Sequence, residues 1–244
     1  MTYFRHTSSR FSLLAGFLLV TSFTAGAATF TIQPQNETAS KDTKIYSTVP
    51  ASNFSSNLNV VSADITDFRS LVQFNLSTLL GLTAADITSA SLRLYVSGLN
   101  TNAQSTSTSA VVTVSPILGD WRETNADVGP APLATWNAFF GATPTILFGS
   151  VVASQTVTGV GFFDWDITAL AKSWQDGSQT NYGVLLQAPG PLGDVGIADT
   201  DSLGAAFAPA LIVTSPVPEP TAGVLGILGV LSLTLRRHLL GRCG

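Results

Sequence analysis

Short runs of β-branched and aromatic residues recur along the chain, separated by clusters of turn-forming residues. Apolar and polar residues alternate within several runs: Val72, Phe74 and Leu76 point one way, whereas Gln73 and Asn75 point the other. A period of two predicts strands with one buried and one solvated face, as in antiparallel sheets. The predicted strands cover residues 29–32, 44–48, 58–62, 69–76, 90–96, 110–116, 145–157, 162–167, 183–187 and 210–214.

One stretch has the helical period instead. Its apolar stripe consists of Ile167, Leu170, Ala171 and Trp174. Asp166 is the expected cap of this short helix, and Gly177 its expected end. About ten strands with so little helix predict an all-β fold, a jelly-roll-like antiparallel β-sandwich.

The first 27 residues have a different pattern. Basic residues precede an apolar run at residues 11–20, and Ala25 and Ala27 provide small side chains after it. This order is typical of a secretory signal peptide. We expect a signal peptidase to cut after Ala27 and to leave Ala28 as the new N-terminus.

The C-terminal region has three parts in sequence: an extended tetrad, an apolar run and a basic end. These are Val217-Pro218-Glu219-Pro220, residues 221–235, and Arg236 with Arg237. The two prolines keep the tetrad extended. The apolar run would form a helix of ~22 Å, and the arginines would reach toward the headgroups of a bilayer core of ~30 Å. Flanking arginines mark the cytoplasmic side, which places the preceding domain outside the inner membrane.

This order closely resembles the PEP-CTERM sorting signal of Gram-negative bacteria, which an exosortase recognises. The resemblance implies transient insertion in the inner membrane, cleavage at or near Pro218-Glu219-Pro220, and transfer to the cell surface or extracellular matrix. An ordinary C-terminal anchor with a proline-bearing linker is the alternative. The expected boundaries are a signal peptide at 1–27, a β-sandwich at 28–214, a linker at 215–220 and a transmembrane sorting helix with a basic tail at 221–244.

The amino-acid composition limits the kinds of catalytic site, metal site and partner that the exported domain can have. Residues 28–216 contain no histidine and no cysteine, which excludes a Ser-His or Cys-His nucleophile and the usual zinc sites. The same residues carry six basic and fourteen acidic side chains, a net charge of −8. Such a domain repels polyanions, so nucleic acid is not an expected partner.

Five sequence segments of this domain resemble segments of the DNRLRE-type domain, and they occur in the same order. They are RSLVQFNL at 69–76, ITSASLRLY at 87–95, WRE at 121–123, TWN at 135–137, and WDITALAKSWQDGSQTNYG at 165–183. The resemblance implies a β-sandwich of a family that includes alginate-binding carbohydrate-binding modules, and hence association with exopolysaccharide. The family's segment rich in Ser, Arg and Glu reads IADTDSLG here, at 197–204, and this departure and the acidic balance weaken the transfer of alginate binding.

Two tryptophans are candidate glycan contacts. Trp121 and Trp136 flank a loop rich in proline and glycine, and exposed indoles stack well on the C–H faces of sugars. The alternative is that both rings fill the end of the sandwich, because large aromatic side chains are usually mostly buried.

The aspartates allow two further hypotheses. Asp164 and Asp166 share a face of one predicted strand at roughly 6–7 Å, a separation that suits a glycosidase pair. In the alternative interpretation they form a solvated face and the helix cap. Asp194, Asp199 and Asp201 form an oxygen-rich group that could hold calcium, and no other cofactor is expected.

The sequence therefore predicts an exported, non-catalytic surface or matrix protein that an exosortase processes and that associates with exopolysaccharide. One alternative is a structural or adhesive matrix protein without glycan specificity. The other is a polysaccharide-cleaving enzyme that uses carboxylates.

Overall fold

The computed structural model describes residues 26–34, 41–54, 58–62, 67–99, 108–124, 129–189, 193–199 and 203–216. The strands in these ranges are β1 (Ala27–Ile32), β2 (Lys41–Tyr46), β3 (Leu58–Ser62), β4 (Phe68–Gln73), β5 (Ser89–Leu99), β6 (Ala110–Pro116), β7 (Ala153–Val157), β8 (Gly161–Asp166), β9 (Val184–Gln187), β10 (Gly193–Ile197) and β11 (Ala210–Pro216). The helices are α1 (Trp136–Phe140) and α2 (Thr168–Gln175), and two short 3₁₀ turns are also present. The predicted all-β class is confirmed.

All strand pairs between these elements are antiparallel, and they form two sheets. The first sheet has the order β1-β11-β5-β8. The second has the order β10-β3-β4-β9-β6-β7, and β2 also pairs with β4. Strand β10 joins them, because it pairs with β3 and with the last residues of β5. The β-sandwich is therefore confirmed, and the jelly-roll connectivity stays a prediction.

The main core lies between the two sheets. Leu92, Leu94 and Val96 of β5 point inward and are fully buried, because the pleat of the strand sends alternate side chains to one face. Trp165 of β8 fills the same core and donates its indole N–H to the carbonyl of Val112 at 2.9 Å. This bond satisfies the polar edge of a large buried ring and fixes β8 against β6.

A second core covers the outer face of the second sheet. Its buried members are Ile45, Leu71, Ile117, Trp121, Ala134, Ala138, Phe139, Ile146 and Leu185. The segment 181–183 joins this core to the sheet: Asn181 donates to the carbonyl of Phe74 at 2.8 Å, and the carbonyl of Tyr182 accepts from the Trp121 indole at 2.8 Å. Gly183 has a φ of 87° and lies against Val72 and Gln73 of β4, so a side chain has no room there.

The prediction of helix α2 is confirmed. The N-cap residue is Ile167 rather than the expected Asp166, but Asp166, one residue earlier, accepts a hydrogen bond from the Thr168 amide at 2.9 Å. Gly177 follows the helix with a φ of 75°. The predicted strand at 145–157 is wrong in its first part, because only Ala153–Val157 is a strand. Ile146 instead turns into the second core, and its amide bonds to the Ala138 carbonyl at 2.8 Å.

The targeting segments lie largely outside the described residues. Ala25, the tetrad Val217 to Pro220, Arg236 and Arg237 belong to ranges that the structure does not describe. Ala27 is the first residue of β1 and pairs with Pro216, so a cut after Ala27 would keep Ala28 and the rest of this strand. Among the described helices, none is long and apolar enough to cross a membrane.

Candidate functional site

The outer face of β5 and β8 carries an unusual set of side chains. Arg93 and Tyr95 point away from the main core, because they alternate with the buried residues of β5. In the ladder between the strands, Arg93 lies opposite Asp164 and Tyr95 lies opposite Phe162. Residues that are opposite in an antiparallel pair share a face, so these four side chains form one surface.

Three rings meet at one end of this surface. We name Tyr95, Phe162 and Phe207 the aromatic platform. The centroid of the Tyr95 ring lies 5.0 Å from that of Phe162 and 4.5 Å from that of Phe207, and the two phenylalanine rings are nearly parallel at 6.1 Å. Phe162 remains 49% exposed, although it belongs to a regular strand. Tyr95 and Phe207 are half-buried beside it, and an exposed apolar ring supported by two others marks a candidate binding surface.

Local backbone geometry positions these rings. Gly161 begins β8 with a φ of 147°, which favours glycine, and it directs the next residue, Phe162, to the outer face. Phe207 lies in a turn closed by its own amide, which donates to the carbonyl of Gly204 at 3.0 Å. The carbonyl of Tyr95 accepts from the amide of Ala198 at 2.9 Å, which holds this part of β5 in place.

An ion pair adjoins the aromatic platform. Arg93 Nε lies 2.8 Å from Asp164 Oδ1, and Arg93 Nη2 lies 2.9 Å from Asp164 Oδ2. These hydrogen bonds raise the pKa of Arg93 above its usual value, and the guanidinium carbon lies 6.0 Å from the centroid of Phe162. Both side chains are nearly half exposed. A guanidinium has more N–H donors than this pair uses, so the pair offers both donors and acceptors to a ligand.

Hydroxyl groups extend the same face across the sheet. Ser91 precedes Arg93 by two residues on β5, and the neighbouring strand carries Thr214. Thr29 and Thr31 of β1 follow beyond it and are exposed. With strands ~4.8 Å apart, the face is wide enough for a short, flat ligand that is held by ring contacts and hydrogen bonds.

The two aspartates of the predicted glycosidase pair do share this face, but each has a structural role. Asp164 is held by Arg93. Asp166 accepts from the Thr168 hydroxyl at 2.6 Å and from the Thr168 amide, and these bonds lower the pKa of Asp166. A general acid needs a raised pKa, whereas this carboxylate stays ionised. The arrangement matches the alternative interpretation, a solvated face and a helix cap.

The two candidate tryptophans lie on the second sheet, away from the aromatic platform. Trp121 is fully buried, and the Lys41 ammonium lies 4.8 Å from its ring centroid. Trp136 is half-buried and stacks on Phe140 with a centroid distance of 4.6 Å. The structure therefore corrects the expectation of an exposed indole at Trp121, which fills a core as the alternative interpretation had it.

The calcium candidates gain no support from the described residues. Asp194 lies on β10 opposite Val61, and Asp201 falls outside the described ranges. Asp199 is buried close to Lys44: burial lowers the pKa of Lys44, and the negative charge of Asp199 partly offsets this effect. In the part of the chain that the structure describes, no group of three His, Cys, Asp or Glu side chains is placed to hold a metal.

Sequence reasoning missed the aromatic platform and the role of Arg93. One signal was present: the alternation of residues 161–166 puts Phe162 on the polar face of its strand, beside Asp164. Phe207 gives no such signal, because it lies in a turn without periodicity.

Comparison with protein families gives a match over most of the chain. The family model of carbohydrate-binding module family 96 matches residues 33–215, three quarters of the chain. A search among curated proteins found no match. The matched range includes the second core, the main core except Ile32, the aromatic platform, and the ion pair of Arg93 and Asp164.

Proposed function

This chain belongs to carbohydrate-binding module family 96, and on that premise we propose that it binds a glycan through the outer face of β5 and β8. The observation that carries the proposal is the exposure of Phe162 within a cluster of three rings. An apolar ring is left in water at this position of a regular strand, and a ligand that covers it recovers hydrophobic free energy.

Each part of the face has a role in this proposal. The ring of Phe162, supported by Tyr95 and Phe207, stacks on the C–H face of a sugar unit. Arg93 donates to sugar oxygens, and Asp164 accepts from sugar hydroxyls while it holds the guanidinium in one orientation. Binding of this kind needs no catalytic group, and we propose that the domain is not an enzyme.

We also propose that the protein acts outside the inner membrane. The signal-peptide pattern that ends at Ala27 and the sorting pattern at 217–237 support export, with cleavage first by a signal peptidase and then by an exosortase. The domain would then reach the cell surface or the extracellular matrix of a Gram-negative bacterium and associate with exopolysaccharide there.

Affinity gel electrophoresis of the exported domain through gels that contain soluble polysaccharides tests glycan binding. We expect at least one polysaccharide to retard the domain. Phe162→Ala should raise the Kd about tenfold, the equivalent of ~1.4 kcal/mol for the lost stacking. Leu147→Ala is the matched control, because Leu147 is 60% exposed but belongs to the segment over the second sheet. Equal retardation of the two variants would contradict the proposed site.

The same preparation tests the enzymatic alternative. Incubation of the domain with the retarding polysaccharide should release no new reducing ends and no unsaturated product. Release of product that disappears in Asp166→Asn would instead show that the carboxylates act in catalysis. Self-association of the domain without dependence on sugar would favour an adhesive matrix protein.

A further inference from the structure

We infer that the glycan is neutral and rich in hydroxyl groups, rather than a uronate or a sulfated polysaccharide. This inference rests on the proposed function and names the ligand class for the same face. It follows from the charges on that face and from the partners of the basic side chains elsewhere in the domain.

The face itself carries more negative than positive charge. Its cation, Arg93, donates two hydrogen bonds to Asp164 and is held by them. Asp166 lies two residues further along β8, at roughly 6–7 Å, and its lowered pKa keeps it ionised at neutral pH. An anionic sugar on the aromatic platform would therefore meet two carboxylates and one neutralised guanidinium.

Three other basic side chains of the domain are engaged by the fold. Lys41 lies 3.4 Å from Asp120, and Arg69 lies 3.7 Å from Asp67. Arg122 donates to the carbonyl of Ala131 at 2.6 Å. None of these contacts involves the face of β5 and β8.

The remaining two basic residues do not complete a basic patch either. Lys44 lies near the buried Asp199, and burial lowers its pKa. Lys172 lies on α2, outside β5 and β8. All six basic residues of 28–216 fall within the described part of the chain, and Arg93 is the one basic residue of β5 and β8, so a polyanion would meet no row of cations along these two strands.

A neutral sugar suits the same groups. Its hydroxyls donate to Asp164 and accept from Arg93, so neither charged group is left without a hydrogen-bonding partner. Ser91 and the threonines of the neighbouring strands add neutral donors and acceptors on this face. The rings bind the apolar side of the sugar without regard to charge.

The test compares neutral and acidic gels. The domain runs through gels with galactomannan, hydroxyethylcellulose or a β-glucan, and with alginate or polygalacturonate, at 20 and at 500 mM NaCl, roughly a fivefold change in screening length. We expect retardation by a neutral polysaccharide, less than a twofold change in Kd between the salts, and no retardation by either uronate. Retardation by a uronate that disappears at high salt would overturn the inference and leave glycan binding intact. Retardation by none would contradict glycan binding, and the inference with it.

Charge variants give a second, independent readout. Asp164→Asn should weaken binding to the neutral polysaccharide about tenfold, because Arg93 loses its bidentate partner and the sugar loses an ionised acceptor. Asp176→Asn removes the same charge beyond the end of α2 and should leave the Kd unchanged. Equal Kd values of Asp164→Asn and Asp176→Asn for the neutral polysaccharide would overturn the inference.

Discussion

Gly183 is the position where a single methyl group should test the packing between the sheet and the second core. Its φ of 87° already disfavours other residues. A Cβ there would lie 2.9 Å from Cα and Cβ of Gln73, and closer still to the carbonyl oxygen of Val72. For the two contacts with Gln73 to reach 3.4 Å, Gly183 would have to move away from β4 by about 0.5 Å, and the contact with the Val72 oxygen would require a larger shift.

The cost of Gly183→Ala has two parts that a control separates. The positive φ costs ~1–2 kcal/mol in any left-handed position. The clash adds the loss of hydrogen bonds around 181–183, including the bond of 3.0 Å from the Ile117 amide to the Gly183 carbonyl, at ~1 kcal/mol each. We expect a total loss of about 3 kcal/mol or more. Gly177→Ala shares the positive φ of 75° but meets nothing within 4 Å, so it should lose only about 1 kcal/mol.

Urea unfolding followed by tryptophan fluorescence measures both variants. With a slope of ~2–3 kcal/mol per molar, Gly183→Ala should unfold at least ~1 M earlier than the unsubstituted domain, and Gly177→Ala less than ~0.5 M earlier. Failure of Gly183→Ala to accumulate as folded protein, while Gly177→Ala does, agrees with the same reasoning. Equal midpoints for the two variants would refute the close approach of Gly183 to β4.

Three further predictions concern the second core, the helix cap and processing. Trp121→Phe should lose ~1–2 kcal/mol in urea unfolding, because the buried Tyr182 carbonyl loses its donor, and should leave the glycan Kd unchanged; a weakened Kd would contradict the assignment of Trp121 to the core. The hydrogen bonds that lower the pKa of Asp166 stabilise the fold above the unfolded pKa of ~4, and this stabilisation is lost as the pH falls through the lower folded value. Asp166→Asn should therefore flatten the fall of the urea midpoint between pH 7 and pH 3, and an unchanged slope would contradict the cap. Mass spectrometry of the exported protein should find Ala28 at the N-terminus and a C-terminus near Pro218, whereas an intact C-terminus at Gly244 would indicate a plain anchor.

Periodicity predicted those elements whose side chains face one core and one solvent side. Strands β5 and β8 and helix α2 are of this kind, and the shared face of Asp164 and Asp166 follows from the same alternation. Strand β10 was missed, because Gly193 and Gly196 have little strand propensity and the strand forms only between β3 and β5. Whether such a segment forms a strand is decided by its pairing with distant strands, and the local sequence pattern carries no information about that pairing.

The candidate site could be predicted only in part for a similar reason. The sequence places Phe162 and Asp164 on one face of a strand, but their partners Arg93 and Tyr95 arrive through a pairing of distant strands. Phe207 joins them from a turn before β11. Trp121 and Trp136 were predicted as glycan contacts from their residue type and the neighbouring loop. Their burial depends instead on the segment that folds over the second sheet.

A titration of the ¹⁵N-labelled domain with short oligosaccharides of the polysaccharide that retards it tests the proposed binding face most directly. We expect the largest amide shifts on this face, at Arg93, Tyr95, Phe162 and Phe207. These shifts should be absent in Phe162→Ala at the same sugar concentration. Largest shifts around Trp136 and Phe140 instead, with the β5 and β8 amides unmoved, would contradict this expectation.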